Sequence, residues 1–394
     1  MQVQSASSAD DVLILQQKLA RVQALLETSR QVHSTIRLEE VLAMTLEIAV
    51  KELEVEGVFF QSNGQLGLRS HHLRGSVPDD WTQSADWGAI PGYTSVALAG
   101  EQGETIAHLV TWRRAPFSFE ETDFLEGLGL QAALAVRNAQ HHERMIEWER
   151  VRMDMEAARM IQRSLLPQEV PDVGGYSLSL RSTACYEVGG DYVDVMPLQD
   201  GTLMMVVADV AGKGLASAMI SMTFRSSFRA IAGSGLSLED MAVRLNALHW
   251  GEGLEARRRY VTAVLLSLDP HSHTLQILSA GHNPAFLLRG RERLKIGASG
   301  PPLGMMPGLK WEQETHHFPP GAQLLVYTDG LTEVFQGDEE FGEDRLFSLL
   351  GDRPREDQLD FVWTTLAGFA GNARQTDDMT ALYISRVLLK EDNE

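Results

Sequence analysis

A chain of 394 residues exceeds what one ordinary core organises, so two or three domains are expected. Its apolar fraction of 44% belongs to folded protein and argues against long disorder. The formal net charge of -20 disfavours nucleic acid and anionic membrane as partners, since both select basic patches, although a solvated acidic surface accounts for the charge equally well.

Residues 1–9 read as a flexible tail with neither the basic nor the apolar stretch of a secretory signal. No apolar run reaches the roughly 18 residues that cross a bilayer, and a cytoplasmic location is expected. Over residues 10–34, Asp10 and Asp11 cap a helix in which Val12, Leu15, Leu19, Val22 and Leu26 recur at steps of three and four. That seam fits a short parallel coiled coil or an amphipathic helix lying on its own domain. A second helix is expected over 38–54, strands over 57–61 and 66–70, and a loop-rich stretch over 75–100. Residues 105–114 then read as a strand and 117–140 as a long helix, with Ser118 and Glu121 spaced as a capping box.

The helical pattern continues from His141 to about Leu166 without Pro or Gly. Trp148, Val151, Met155, Ala158, Gln162 and Leu165 form a second seam, and Pro167 stops it. Two such seams around one domain point to a homodimer. The polar Gln162 would set register or act as a switch point, whereas the plainer reading is a rigid spacer.

Beyond Pro171 the texture changes to strands, at 177–185, 202–210, 259–268, 273–280 and 323–330. The turn DPHSHT joins two of them, with His271 and His273 expected to be exposed. Helices are expected over 216–231, 238–250 and 358–371, which together suggest a two-sheet α+β sandwich. The single cysteine, Cys185, excludes an intramolecular disulfide and is read as a buried strand residue. No arginine follows it at the spacing of a phosphate-cradling cysteine loop, so thiol-based phosphatase chemistry is excluded.

Acidic residues gather at strand ends. Asp191 follows Gly189 and Gly190, Asp209 ends MMVVAD, Asp329 ends LLVYTD, and Asp377-Asp378 opens MTALYI. Singly each is a turn residue; together such carboxylates repel and need a counter-charge. Oxygen-only ligands select Mg²⁺ or Mn²⁺ over Zn²⁺. GGD followed by an aromatic also resembles a diguanylate cyclase loop, but 141–166 is a heptad helix where such an enzyme needs a strand with another metal-binding Asp.

Two resemblances follow. The region 35–140, above all PFSFEETDFLEGLGLQAALAVRNAQ, resembles a GAF sensor domain without the cysteine that would hold a bilin. The ordered set QRSLLP, VGGDYVD, ADVAGKGLASA, SAGHNPAFLL, GPPLGM, YTDGLTE and TDDMT resembles the bacterial PPM serine/threonine phosphatases of the SpoIIE/RsbU type. The implied organisation is a GAF domain, a coiled-coil linker over 141–167, a PPM-type α-β-β-α sandwich over 168–388 and a tail at 389–394. The second resemblance implies two Mn²⁺ or Mg²⁺ ions, with Asp209 bridging them, the backbone carbonyl of Val210 on one, Asp329 and Asp377 on the other, and Asp191 binding directly or through water. Asp194 and Asp378 are nearby candidates, Lys213 a candidate phosphate contact, and Arg181 the nearest arginine for substrate phosphate. His282 and Asn283 are read as structural. The substrate implied is a phosphorylated STAS-type anti-sigma factor antagonist, and Gln162, Leu165, Leu166 and Pro167 would form a regulatory switch. The alternative is a catalytically weak or inactive signalling scaffold, against which stands the presence of every expected acid.

Overall fold

The computed structural model describes residues 23–24, 26–62, 73–76, 90–351 and 354–387. The seam from Val12 to Val22, the strand expected at 66–70 and the two tails lie outside them. The chain divides into two compact units, residues 1–151 and 152–394.

In the first unit, α1 (Leu38–Leu53) carries Val41, Leu42, Thr45, Leu46 and Ala49 at helical spacing and buries all five. Strands β1 (Gly57–Ser62), β2 (Leu73–Gly75), β3 (Tyr93–Ala99) and β4 (Thr105–Trp112) form an antiparallel sheet in the order β2-β1-β4-β3. Val58 and Phe60 face the helical side, while Phe59 packs with Tyr93 and Val110 on the other, as the two-residue period of a strand requires. Strand β3 corrects the loop expected there: Gly and Pro on its N-terminal side mask the short run YTSVALA. The capping box forms as expected, with Ser118 N donating to Glu121 Oε2 at 2.7 Å and Glu121 N to Ser118 Oγ at 3.2 Å.

Helix α2 (Phe119–Leu165) runs for 47 residues. Its first half sends Leu125, Leu128, Ala132 and Val136 into the core of the first unit. Farther along, Met145, Ile146, Trp148, Val151, Met153, Met160 and Ile161 are all exposed. Gln162 leaves the expected seam altogether, being buried within the second unit. No helix among the described residues is long and apolar enough to cross a membrane.

The second unit holds two five-stranded sheets. One contains β5 (Tyr176–Thr183), β10 (Ala285–Arg289), β11 (Glu292–Ile296), β13 (Gln323–Tyr327) and β16 (Met379–Arg386), in the order β11-β10-β13-β16-β5, while β14 (Phe335–Gln336) and β15 (Glu339–Glu340) pair only with each other. The other contains β6 (Tyr192–Pro197), β7 (Leu203–Val210), β8 (Val261–Asp269), β9 (Thr274–Ala280) and β12 (Glu314–His317), in the order β12-β9-β8-β7-β6. Alternate residues of β7 serve two cores. Met205 and Val207 pack between the sheets, and Met204, Val206 and Ala208 pack under α3 (Leu215–Ala232) and α4 (Leu238–Gly251). On the far side Leu325, Tyr327 and Tyr383 pack with Leu359, Val362 and Leu366 of a further helix, Gln358–Ala370. The layers are therefore the expected helix-sheet-sheet-helix sandwich. Each fully buried aliphatic side chain in these cores contributes roughly 1.5–3 kcal/mol.

Register brings four chain positions to one end of the sandwich. The start of β6 pairs with the end of β7 (Tyr192 opposite Ala208), and the end of β13 with the start of β16 (Tyr327 opposite Ala381). The acidic motifs occupy these ends.

Candidate metal centre

Asp191 immediately precedes β6 and is buried, 5% exposed. Its Oδ2 accepts from Thr328 Oγ1 at 2.8 Å, and the Thr380 hydroxyl also bonds its carboxyl. Thr328 also ties the ends of the neighbouring strands β13 and β16, because Thr328 N donates to Thr380 O at 2.9 Å and Thr380 N to Thr328 Oγ1 at 3.0 Å. Burial, then the charge of Asp209, holds the Asp191 carboxyl well above the usual carboxylate range. Asp209 hydrogen-bonds Asp191 and is pushed up to about 7, first by burial and then by Asp329, Asp377 and Asp378. Burial and Asp377 also raise Asp329. These five carboxylates thus share one acidic neighbourhood with too little positive charge.

As placed, no three acidic, His or Cys side chains among the described residues stand close enough to hold a cation. One acid has a counter-charge within the protein: Lys213 Nζ lies 2.8 Å from Asp377 Oδ2. The donor chemistry nonetheless fits a hard divalent cation, since it consists of carboxylates and carbonyls whose charge burial leaves uncompensated. The Val210 carbonyl belongs to this set by position. A Cβ added at Gly190 would lie 3.1 Å from Val210 O and 3.7 Å from Asp209 Oδ1, so the Gly-Gly turn is what admits that carbonyl beside the acids. Gly330 serves similarly, because a Cβ there would meet Asp378 O at 2.0 Å.

The remaining candidates separate by role. Asp378 is a latch: its Oδ2 accepts from Gly190 N and its Oδ1 from Cys185 N, both at 2.7 Å. Asp194 is fully buried but points with Tyr192 towards α3, where Arg229 Nε reaches Oδ2 at 2.6 Å and Nη2 reaches Oδ1 at 2.9 Å. The structure therefore removes Asp194 from the acidic cluster and makes it half of an ion pair. Lys213 faces Asp377 and Thr376 O rather than open space. Arg181 pairs with Asp360 at 2.8 Å and covers the Trp363 ring, away from the acids, which corrects its assignment to substrate phosphate. Cys185 lies past the end of β5 and is only half-buried, not a buried strand residue. His273 is likewise engaged, by Tyr176 Oη and Arg386 Nη2 at 2.9 Å each, while His271 is exposed as expected.

The last turn of α2 is anchored beside the acidic motifs. Gln162 Nε2 donates to Gly189 O at 2.7 Å, and Gly189 N donates to Gln162 Oε1 at 3.2 Å. Leu165 O accepts from Arg225 Nε at 2.8 Å, and Leu166 packs against the α3–α4 core. Pro167 follows, half-buried. His282 is buried, bonded to Thr262 Oγ1 at 2.8 Å and Tyr327 O at 2.9 Å, in keeping with a structural role. Sequence reasoning missed Thr328, Thr380 and Arg229. The two threonines stand inside the motifs YTDG and DDMT, so their position beside strand-end acids was the available signal.

Residues 199–387 match the family model described as Stage II sporulation protein E (SpoIIE). Protein IcfG of Synechocystis sp. is 27% identical over 266 residues, covering 60% of this chain and 42% of that protein. Phosphoserine phosphatase RsbP of Bacillus subtilis is 27% identical over 207 residues, covering 51% of this chain and 49% of that protein. The chain thus spans about half the length of these relatives. The SiaA-PP2C domain of Pseudomonas aeruginosa superposes with a TM-score of 0.54 at 22% identity, over 61% of this chain and 98% of that domain, and so shares the fold. With the sandwich, the ordered motifs and the family match in agreement, the C-terminal unit has a PP2C-like fold, and residues 199–387 within it are similar to the SpoIIE family.

Proposed function

We propose that this chain is a divalent-cation-dependent phosphoserine/phosphothreonine protein phosphatase. The observation that carries this reading is the gathering of Asp191, Asp209 and Asp329 at one end of both sheets with their charge uncompensated, beside Asp377, whose counter-charge is the half-exposed Lys213. Asp209, Asp191, Asp329, Asp377 and the Val210 carbonyl would hold two Mn²⁺ or Mg²⁺ ions. Cations there supply neutralisation of the phosphate dianion and acidify water for attack on phosphorus. The protein's own part is positional. Thr328 and Thr380 fix the Asp191 carboxyl, Asp378 fixes the Gly-Gly turn, and Gln162 holds that turn from the helix side.

The substrate in this proposal is a phosphorylated STAS-type antagonist in a partner-switching pathway, supported by the resemblance to phosphoserine phosphatases such as RsbP. Residues 35–140 act as a GAF sensor, and the α2 segment ending at Pro167 relays its state. The exposed apolar stretch from Met145 to Ile161 supports a homodimer joined along this helix. The test is hydrolysis of p-nitrophenyl phosphate and of a phosphorylated STAS protein with Mn²⁺, with EDTA and with Asp209→Ala. Turnover that needs the cation and disappears in the variant is expected; turnover indifferent to both overturns the mechanism.

A further inference from the structure

Beside the acidic cluster lies a cavity of about 220 Å³, lined chiefly by Val334, Phe335, Trp363, Leu366, Ala370 and Met379. It is contiguous with the cluster along the chain on two sides. Gly330, next to Asp329, and Thr376, next to Asp377, both line it, and the Glu333 carboxyl in its wall feels the charges of Asp329 and Asp377. The Trp363 indole N–H is buried and has no hydrogen-bond partner among the described residues. At about 220 Å³ the cavity is smaller than the 300–1,000 Å³ usual for cofactors and whole small molecules, and its size suits one side chain.

We propose that this cavity is a specificity pocket that takes an apolar side chain of the phosphoprotein substrate, from a residue flanking the phosphorylated one. The inference rests on the phosphatase reading above. A substrate whose phosphate sits at the acids must run its chain past one side or another of the cluster. On the side of residues 330–334 and 374–376 it meets an apolar recess with a polar margin, Glu333 and Arg374. Apolar burial there favours a bulky flank over glycine, and a missing hydrocarbon group in such a pocket is worth about tenfold or more in kcat/KM.

The experiment compares three substrates on the full chain with Mn²⁺: p-nitrophenyl phosphate, a phosphoserine peptide with leucines on both flanks, and the same peptide with glycines. Wild type is expected to prefer the leucine peptide about tenfold. Ala370→Trp, which fills the cavity, is expected to abolish that preference while p-nitrophenyl phosphate turnover stays within about twofold. Ala373→Trp, at the exposed edge of the lining, gives the same comparison if the first variant loses p-nitrophenyl phosphate turnover. Hydrolysis of all three substrates without preference, or a preference that survives filling, overturns the pocket alone. Failure of wild type on all three overturns the phosphatase reading, and the pocket with it.

Discussion

Gln162 clasps the backbone of Gly189 through both ends of its carboxamide, donating to the carbonyl at 2.7 Å and accepting from the amide at 3.2 Å. Gly189 lies two residues before Asp191, so the last turn of α2 directly positions the first acidic motif. Gln162→Ala leaves a buried carbonyl and amide unpaired, each costing about 1–3 kcal/mol, and loosens the turn. Misplacement on this scale lowers turnover about ten- to a hundredfold and raises the Mn²⁺ concentration for half-maximal activity. A Mn²⁺ titration of activity alongside sedimentation checks it. A variant that keeps the wild-type sedimentation and the wild-type titration curve rules out the helix end as a control point.

Burial and the neighbouring acids push the Asp209 carboxyl up to about 7 in the folded chain, against an ordinary value of 3.8. Its folded value is raised, so the folded chain keeps a proton that the unfolded chain has already lost. The stabilisation is complete below pH 3.8 and disappears as pH rises to about 7. A cation replaces that proton, so Mn²⁺ should raise the thermal midpoint more at pH 8 than at pH 5. Asp209→Asn, which cannot ionise, should flatten the difference. Equal shifts at both pH values in the wild type would contradict the assignment.

His282 works in the opposite sense. Tyr327 O can only accept, so Nε2 carries the hydrogen and Nδ1 accepts from the Thr262 hydroxyl, which fixes the neutral tautomer. Burial holds the ring down at about 4. A folded value below the ordinary 6.5 means stability is complete above pH 6.5 and is lost as pH falls towards 4. Because Thr262 stands opposite Asp209 across β7 and β8, this ring also braces the strand under the acid cluster. His282→Phe should lose about 1–3 kcal/mol in urea unfolding at pH 7.5 and show a shallower decline between pH 6.5 and 4. An acid limb as steep as the wild type's would assign the decline to other groups.

Much of the sandwich was legible because its buried strands are unusually plain. LMMVVADV alternates between two cores and ends on an acid, and the acids carry distinct flanking glycines and threonines. What escaped depended on partners distant in sequence. Asp194 reads like Asp191 in GGDYVD, and only Arg229, 35 residues on, shows that it faces α3 instead. Gln162 fits a heptad seam as well as it fits an intramolecular clasp, since periodicity records which face is buried and not what buries it. Arg181 was nearest in sequence to the first motif, yet strand pairing with β16 turns it towards Asp360 and Trp363.

Lys213 decides between two roles for the cation in the Gly-flanked loop. Its Nζ donates to Thr376 O at 2.6 Å and pairs with Asp377 Oδ2 at 2.8 Å, so it competes with a metal for that acid. The lysine side chain is 44% exposed, which keeps the pair weak, about 0–1 kcal/mol. Releasing Asp377 should therefore tighten Mn²⁺ binding modestly, up to about fivefold. Lys213→Met with calorimetric titration of Mn²⁺ measures this in the absence of any substrate. The expectation from the sequence was a contact to phosphate, and it makes a different demand. There the variant keeps its Mn²⁺ affinity but loses inhibition by inorganic phosphate. Tighter metal binding with phosphate inhibition intact identifies Lys213 as a counter-charge for Asp377; the reverse pattern makes it a substrate contact.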